Sequence, residues 1–475
     1  MASTHTASNL PRVAAILVVC DGGEWLGSVL ATIAAQRYPG LDLVVVDNGS
    51  RDGSARLLAR RIRPKRLISL DRTVGFGQAV SLALQHQAVA DADLVLLLHD
   101  DLVLAPDALA RLVRAMHRDP TLGIVGPKLR EWSEDYLLQE VGMTTDRFGR
   151  AETILEPGEL DQGQHDAQRE TLYVSTAGML LRSDLLRRLG GLDARFPVFR
   201  DDLDLCWRAW LAGQRVEVVP RAVGYHIAAS SRLARPVGRG RSWEARYLAE
   251  RHTLAALLKN YGLLQLAWVL PVALMLAAAK TAGFLLSRRF GDAAAVVRAH
   301  GWNVVQLPRT LRRRRFVQSH RQVSDGELAR LFAPGLPRLR AYAEAVSAWL
   351  AGGSTRALIE DTEPEVATAQ DPLEGRKLAR ALRDHPAACT GVLLLGAYLL
   401  GLVPLLGGGQ VVGGQVAPWP ESAREFLRAY ASPWNGEPAA SSAFASPAQP
   451  LLGVLSFLGL GSAWLAQRLL VFGLA

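Results

Sequence analysis

The stretch that most restricts the fold is LVLLLHDDLVL, residues 94 to 104. Leu94 to Leu98 form an unbroken apolar run, which reads as a strand buried on both faces of a sheet. The run stops on His99, Asp100 and Asp101, and the chain turns apolar again at once. The same design occurs upstream. VAAILVV (13–19) is an apolar strand, and LDLVVVDNGS (41–50) is a buried strand stopped by Asp47, Asn48, Gly49 and Ser50. Helical stretches separate them, from Glu24 to Gln36 and again after Ser50. KRLISL (65–70) is a further strand, and a helix is expected over 75–89. Strands alternating with helices of this length predict an α/β fold with a doubly wound, mostly parallel sheet. Ligands of such sheets bind outside the carboxyl ends of the strands, where Asp47 and the Asp100–Asp101 pair fall.

Two adjacent carboxylates ending a buried strand repel each other. A divalent cation relieves the repulsion, and Mg²⁺ or Mn²⁺ also takes oxygens from a diphosphate ligand. The plainer alternative is a solvated turn with two surface aspartates. A second acidic cluster lies in GGLDARFPVFRDDLDLCWRAWLAGQRVEVVPRAVGYHIAAS (190–230), where Asp201, Asp202 and Asp204 precede a helix over 205–211. Negative charge is favoured at a helix N-terminus, so capping competes with chemistry as the reason for it. RVEVVP is a strand, and His226 follows another short apolar stretch.

With 49% hydrophobic and 21% charged residues, the 475-residue chain is apolar enough to contain membrane segments. Residues 262–286 are long enough to span a bilayer but contain Pro271 and Lys280. Residues 287–340 then carry twelve Arg and three acidic groups, a surplus of nine that matches the whole net charge of +9. A full crossing at 262–286 would put these arginines outside, against the positive-inside tendency. The segment is therefore expected to be embedded in, or to lie on, the inner leaflet. The arginines, RTLRRRR (309–315) among them, would then face anionic lipid on the cytoplasmic side. Nucleic acid is the less favoured partner. Residues 346–386 read as a flexible linker, and 387–475 as membrane helices at about 387–409 and 450–475 with an extracytoplasmic loop between them. The N-terminal run has no signal-peptide character, residues 1–11 read as disordered, and Cys20, Cys206 and Cys389 form no disulfide pattern, which fits a reducing compartment. The resulting expectation is a multi-pass protein of the cell membrane with a cytoplasmic first domain over 12–260 and membrane-associated helices over 261–345.

Taken together, ILVVCDGGEWLGSVLATIAAQRYPGLDLVVVDNGSRDGS, LLLHDDLVLAPDAL and STAGMLLRSDLLRRLGGLDARFPVFRDDLDLCWRAWLAG resemble the family 2 glycosyltransferases of the GT-A fold. The likeness is nearest to the bacterial rhamnosyl- and galactofuranosyltransferase-like branch. It covers roughly residues 12–260, in the family's order. It implies an inverting transfer from a nucleotide-diphosphate sugar to a lipid-linked or polysaccharide acceptor, with Mn²⁺ or Mg²⁺. It also implies roles: Asp47 at the nucleobase with Asn48 and Ser50 nearby, Gly75 in the donor loop, and Asp100 supporting metal or ribose. Asp101 and His226 would bind the metal, and Asp202 would be the general base. Three segments depart from the pattern. The triplet opens on His99 rather than Asp or Asn, Asp201 stands where Glu is usual, and TVGFGQAVS (73–81) lacks two expected Asn residues. Two rival readings stay open, a processive membrane polysaccharide synthase and a non-catalytic scaffold of the same fold. The first lacks a QxxRW-type motif between 205 and 262.

Overall fold

The apolar runs of the N-terminal half become the central strands of one mixed sheet. The computed structural model describes residues 10–228, 242–286 and 288–334, all within the unit Met1–Arg376. The tail as far as residue 9, the linker at 346–386 and the membrane helices expected at 387–409 and 450–475 lie outside the described residues. In chain order, β1 (Val13–Val19), α1 (Gly23–Ala34), β2 (Leu41–Asp47), α2 (Ser54–Arg61), β3 (Leu67–Ser69), α3 (Phe76–Ala83) and α4 (Gln87–Ala90) lead to β4 (Leu94–His99). Then come β5 (Leu102–Leu104), α5 (Ala108–Arg118), β6 (Leu122–Glu131), β7 (Leu138–Glu140), the ribbon strands β8 (Thr144–Thr145) and β9 (Ala151–Glu152), β10 (Arg169–Glu170) and β11 (Leu180–Arg182). Next are α6 (Ser183–Arg188), α7 (Asp201–Leu211) and β12 (Arg215–His226). The last helices are α8 (Ser242–Asn260), α9 (Leu263–Leu286), α10 (Phe290–Val305), α11 (Leu307–Ser319) and α12 (Asp325–Leu328). The single helix expected over 75–89 is two, because the His86 ring nitrogen accepts the Ala88 N–H at 3.1 Å and caps a new start.

The sheet order is β10-β12-β6-β11-β4-β1-β2-β3. β1 pairs in parallel with β2 and β4, and β12 with β6. The expected mostly parallel sheet is instead mixed, because β11 runs antiparallel between β4 and β6. Being antiparallel to both, β11 leaves β4 and β6 pointing the same way. The carboxyl ends of β1, β2, β4 and β12 therefore share one edge. The double-sided burial read from Leu94–Leu98 holds: Val95 and Leu97 enter one apolar cluster, and Leu94, Leu96 and Leu98 the other.

The core runs through the boundary expected at residue 260. Tyr261, Val269, Val317, Leu328 and Phe332 belong to the same cluster as the sheet residues. Trp207 of α7 meets Tyr261 and Phe332 edge-on at 4.8 and 5.3 Å between ring centres. Arg314, buried in the Arg-rich helix α11, donates to the carbonyls of Leu258 and Tyr261 at 2.8 and 2.6 Å. These are carbonyls left over at the C-terminal end of α8 and just beyond it, where a cation is favoured.

Candidate active site

Three loops meet at the shared sheet edge. After β2, Asp47 is buried and accepts the Ser50 N–H at 3.1 Å. Ser50 Oγ in turn accepts the Asp21 N–H, and Asp52 accepts the Gly23 N–H at 2.7 Å, which fastens the loops after β1 and β2 together. Asn48 uses both ends of its amide on one residue, donating to the Val74 carbonyl at 2.9 Å and accepting its N–H at 2.8 Å. It therefore positions the 73–76 loop. A Cβ on Gly75 would stand 2.5 Å from Pro197 Cα, so the close approach that this glycine permits is to Pro197. The Phe76 N–H donates to the Pro197 carbonyl at 2.9 Å, and the Phe76 ring lies edge-on to His99 at 4.9 Å. Phe76 thus joins the end of β4 to the segment leading into α7.

Asp100 and Asp101 are both buried, at 2% and 5% exposure, which excludes the solvated turn considered from sequence. Asp100 accepts the Cys20 N–H at 2.8 Å, and a Cβ on Gly22 would collide with its carboxylate at 2.5 Å. β5 and β12 pair His226 with Leu102, and the Ile227 N–H donates to the Asp101 carbonyl at 3.1 Å. This brings His226 Nε2 to 3.3 Å from Asp101 Oδ1. His99 Nδ1 lies 4.0 Å from the same oxygen. Among the described residues, His99, Asp101 and His226 are the group of ligand atoms close enough together to hold one metal ion.

Whether this donor set fits a cation follows from Gln139 on β7. Its Nε2 donates to the His226 carbonyl at 3.0 Å, and a carbonyl only accepts. The Gln139 oxygen must then be the atom 2.9 Å from His226 Nδ1, so Nδ1 carries the ring proton. In the neutral ring, His226 Nε2 then presents its lone pair toward a carboxylate oxygen, buried without a hydrogen-bond partner. Two electron-rich atoms held this way call for a cation between them, and a fixed outer hydrogen bond is the usual support of a metal-bound imidazole. The residues present fit a divalent metal.

The acidic cluster at 201–204 divides by role. Asp204 and Arg208 pair at 2.9 Å, and Lys259 bridges Asp204 and Asp193 at 2.7 and 2.8 Å. Burial pushes the Asp193 and Asp204 carboxyls up, but Lys259, with Arg195 at Asp193 and Arg208 at Asp204, outweighs it and holds both below the ordinary range. Asp204 thus ties α7 to α8 through Lys259 and Asn260, and Arg208 ties α7 to the Leu189 carbonyl just after α6. Asp201 is buried, whereas Asp202 is half-buried on the first turn of α7 and accepts the Leu203 N–H at 2.7 Å. The turn before it places Phe199 and Arg200 in the left-handed region, at φ 61° and 65°. Such backbone costs about 1–2 kcal/mol per residue and persists where surroundings dictate it. Here the Arg200 Nε donates to Thr253 Oγ1 at 3.0 Å, and His252 Nδ1 donates to the Phe199 carbonyl at 3.0 Å.

His252 and Lys259, both on α8, carry no motif in the sequence and were missed there, as was Gln139. Burial, followed by Arg251, pushes the His252 imidazole down to about 3 from an ordinary 6.5. The folded protein therefore refuses a proton that the unfolded chain takes up below 6.5. Stability should be full above that pH and fall toward pH 3, by at most ~1.4 kcal/mol per pH unit. Melting temperature against pH is the measurement. His252→Gln should fall less steeply between pH 6 and 4 than the wild type, and parallel profiles would discount His252.

The fold and the acidic strand ends are those of a GT-A glycosyltransferase. The chain belongs to the glycosyltransferase-like family 2, whose model matches residues 11–260. It is similar to N-acetylglucosaminyl-diphospho-decaprenol L-rhamnosyltransferase of Mycobacterium tuberculosis, at 26% identity over 239 residues, covering 47% of this chain and 77% of that one. It is also similar to the O-antigen biosynthesis protein RfbC of Myxococcus xanthus, at 30% identity over 242 residues, covering 49% of this chain but 18% of RfbC. Among solved structures, S. aureus TarS 1–349 in complex with UDP-GlcNAc matches with a TM-score of 0.43 at 15% identity, over 72% of this chain and 93% of that one.

Proposed function

We propose that this chain transfers a sugar, with inversion, from a nucleotide-diphosphate sugar to a lipid-linked glycan acceptor at a membrane surface. The observation that carries the proposal is the confrontation of His226 Nε2 and Asp101 Oδ1 at the carboxyl edge of the sheet, beside the Asp47 loop. Asp101 and His226 would hold the cation, which when bound offsets charge on the departing nucleoside diphosphate. Asp47 and Ser50 receive the base, the 73–75 loop that Asn48 fixes lies against the donor, and Asp100 supports the ribose. Asp202, the more open of its pair, accepts the proton of the attacking hydroxyl, on the far side of the sugar from the leaving group.

Calorimetric titration of the full chain with UDP- and dTDP-sugars in Mn²⁺ tests the donor half. Affinity should fall at least about tenfold on chelation and in Asp101→Ala, as expected when a metal-bridged contact is lost. Donor affinity indifferent to chelators would remove the metal from the account.

The acceptor half rests on the likeness to a decaprenol-linked rhamnosyltransferase and on the helices after residue 262. The helix Leu263–Leu285 is long and apolar enough to cross a membrane. Contacts along it tie it to other described elements. The Gly262 N–H donates to Asp325 at 2.7 Å, Trp268 meets Phe148, and Lys280 pairs with Glu250 of α8 at 2.6 Å. A crossing helix would carry one end away from these partners. Its outer side is apolar, with Leu264 91% exposed and Leu263, Leu274 and Met275 also open. Arg309, Arg312 and Arg315 are exposed on α11. These features support a helix lying in the leaflet with arginines at the headgroups. Replacing the three arginines by Gln should weaken binding to anionic vesicles by about 3 kcal/mol, at ~1 kcal/mol each, read by flotation of the full chain. Unchanged flotation of both this variant and a Leu264→Glu, Met275→Glu variant would refute the membrane face.

A further inference from the structure

The opening position of the metal triplet is an imidazole, His99, rather than a carboxylate. His99 ends β4, and its Nε2 lies 2.9 Å from Thr176 Oγ1, which turns Nδ1 to the side of Asp101. Its ring stands 5.7 Å from the His226 ring, with the Asp101 carboxylate near both. Phe76 packs on its edge and limits how far it swings. Each histidine is thus oriented by a side-chain contact at its outer nitrogen, Gln139 for His226 and Thr176 for His99. With a metal bound, Thr176 would accept the His99 Nε2–H, leaving the Nδ1 lone pair available on the Asp101 side.

We infer that His99 is a third protein ligand of the cation, and that the resulting set of two imidazoles and one carboxylate selects a first-row transition metal over Mg²⁺. The inference rests on the reading of Asp101 and His226 as the cation site. Its basis is ligand chemistry. Mg²⁺ prefers oxygen donors in near-ideal octahedral geometry and sheds water reluctantly, whereas imidazole nitrogen favours transition ions in the order Mn²⁺ < Co²⁺. An aspartate at position 99 would supply oxygen. The histidine supplies nitrogen instead, beside the nitrogen of His226 and the carboxylate of Asp101.

The test is metal binding by the full chain, with no sugar turnover required. Wild type, His99→Ala, His99→Asp, Asp101→Ala and His226→Ala are titrated with Mn²⁺, Co²⁺ and Mg²⁺, following Mn²⁺ by electron paramagnetic resonance and Co²⁺ by its visible absorption. Each variant is first shown to melt as the wild type does. Wild type should bind Co²⁺ tighter than Mn²⁺, and Mn²⁺ at least about tenfold tighter than Mg²⁺. His99→Ala should weaken Mn²⁺ binding by about 10- to 100-fold and change the Co²⁺ spectrum. His99→Asp should bind Mn²⁺ while narrowing its advantage over Mg²⁺. If Asp101→Ala and His226→Ala lose the metal while His99→Ala binds all three ions as the wild type does, His99 is not a ligand and this inference falls alone. If none of the three alanine variants changes binding, the cation site itself is misplaced.

Discussion

Asp202→Asn is expected to lower sugar transfer by about 10²- to 10⁴-fold, the usual contribution of a positioned base. The substitution keeps the shape of the side chain and the oxygen that accepts the Leu203 N–H at 2.7 Å, so α7 should start where it does now. Donor affinity should stay within a few-fold of wild type, because base catalysis acts on the acceptor hydroxyl. The loss therefore falls on the rate of transfer rather than on donor binding. The neighbouring Asp201→Asn is the control. Asp201 is buried beneath the turn, so its replacement should act through stability. A variant of Asp202 with near wild-type turnover would assign the proton transfer elsewhere.

The second large effect is expected at Lys259. Its ammonium, 1% exposed, bridges Asp193 and Asp204 and lies 5.0 Å from the centre of the Phe196 ring. Lys259→Met fits the same space but removes the cation that the two carboxylates share. Removing one partner of a buried ion pair costs about 3–5 kcal/mol, because the remaining charge is left in a poor solvent. Arg195 and Arg208 still face Asp193 and Asp204, so the lower part of that range applies. Chemical denaturation of the full chain measures it. A triple variant that also replaces Asp193 and Asp204 with Asn should recover part of the loss. If Lys259→Met alone is neutral, the network does not fasten α7 to α8 as described.

Much of this was legible in the sequence because strand burial writes itself as composition. Leu94–Leu98 and Val13–Val19 lie between two apolar layers and can hold little else, so their ends, and the carboxylates on them, could be placed by reading alone. The position of His226 at a strand end beside Asp101 followed from the family pattern, since nothing local marks it. What stayed hidden depends on contacts distant in sequence. The reversal at β11 rests on three residues, Leu180–Arg182, too few to show a period. Gln139 lies 87 positions from the histidine it orients, and Lys259 66 from Asp193. The close approach that Gly75 permits is to Pro197, far along the chain, which no local pattern announces. The apolar run at 262–286 was legible as a long helix, but how it sits against the rest of the unit depends on single contacts such as Lys280 with Glu250.

We propose that one cleft at the sheet edge holds a cation between Asp101 and His226, with Asp202 across from it. Anomalous diffraction from crystals of the full chain grown with Mn²⁺ and a nucleoside diphosphate tests it directly. A manganese peak is expected in coordination range of Asp101 Oδ1 and His226 Nε2, touching the diphosphate, with Asp202 facing the open end of the same cleft. A nucleotide bound away from this edge, or a manganese peak that neither residue touches, would contradict it.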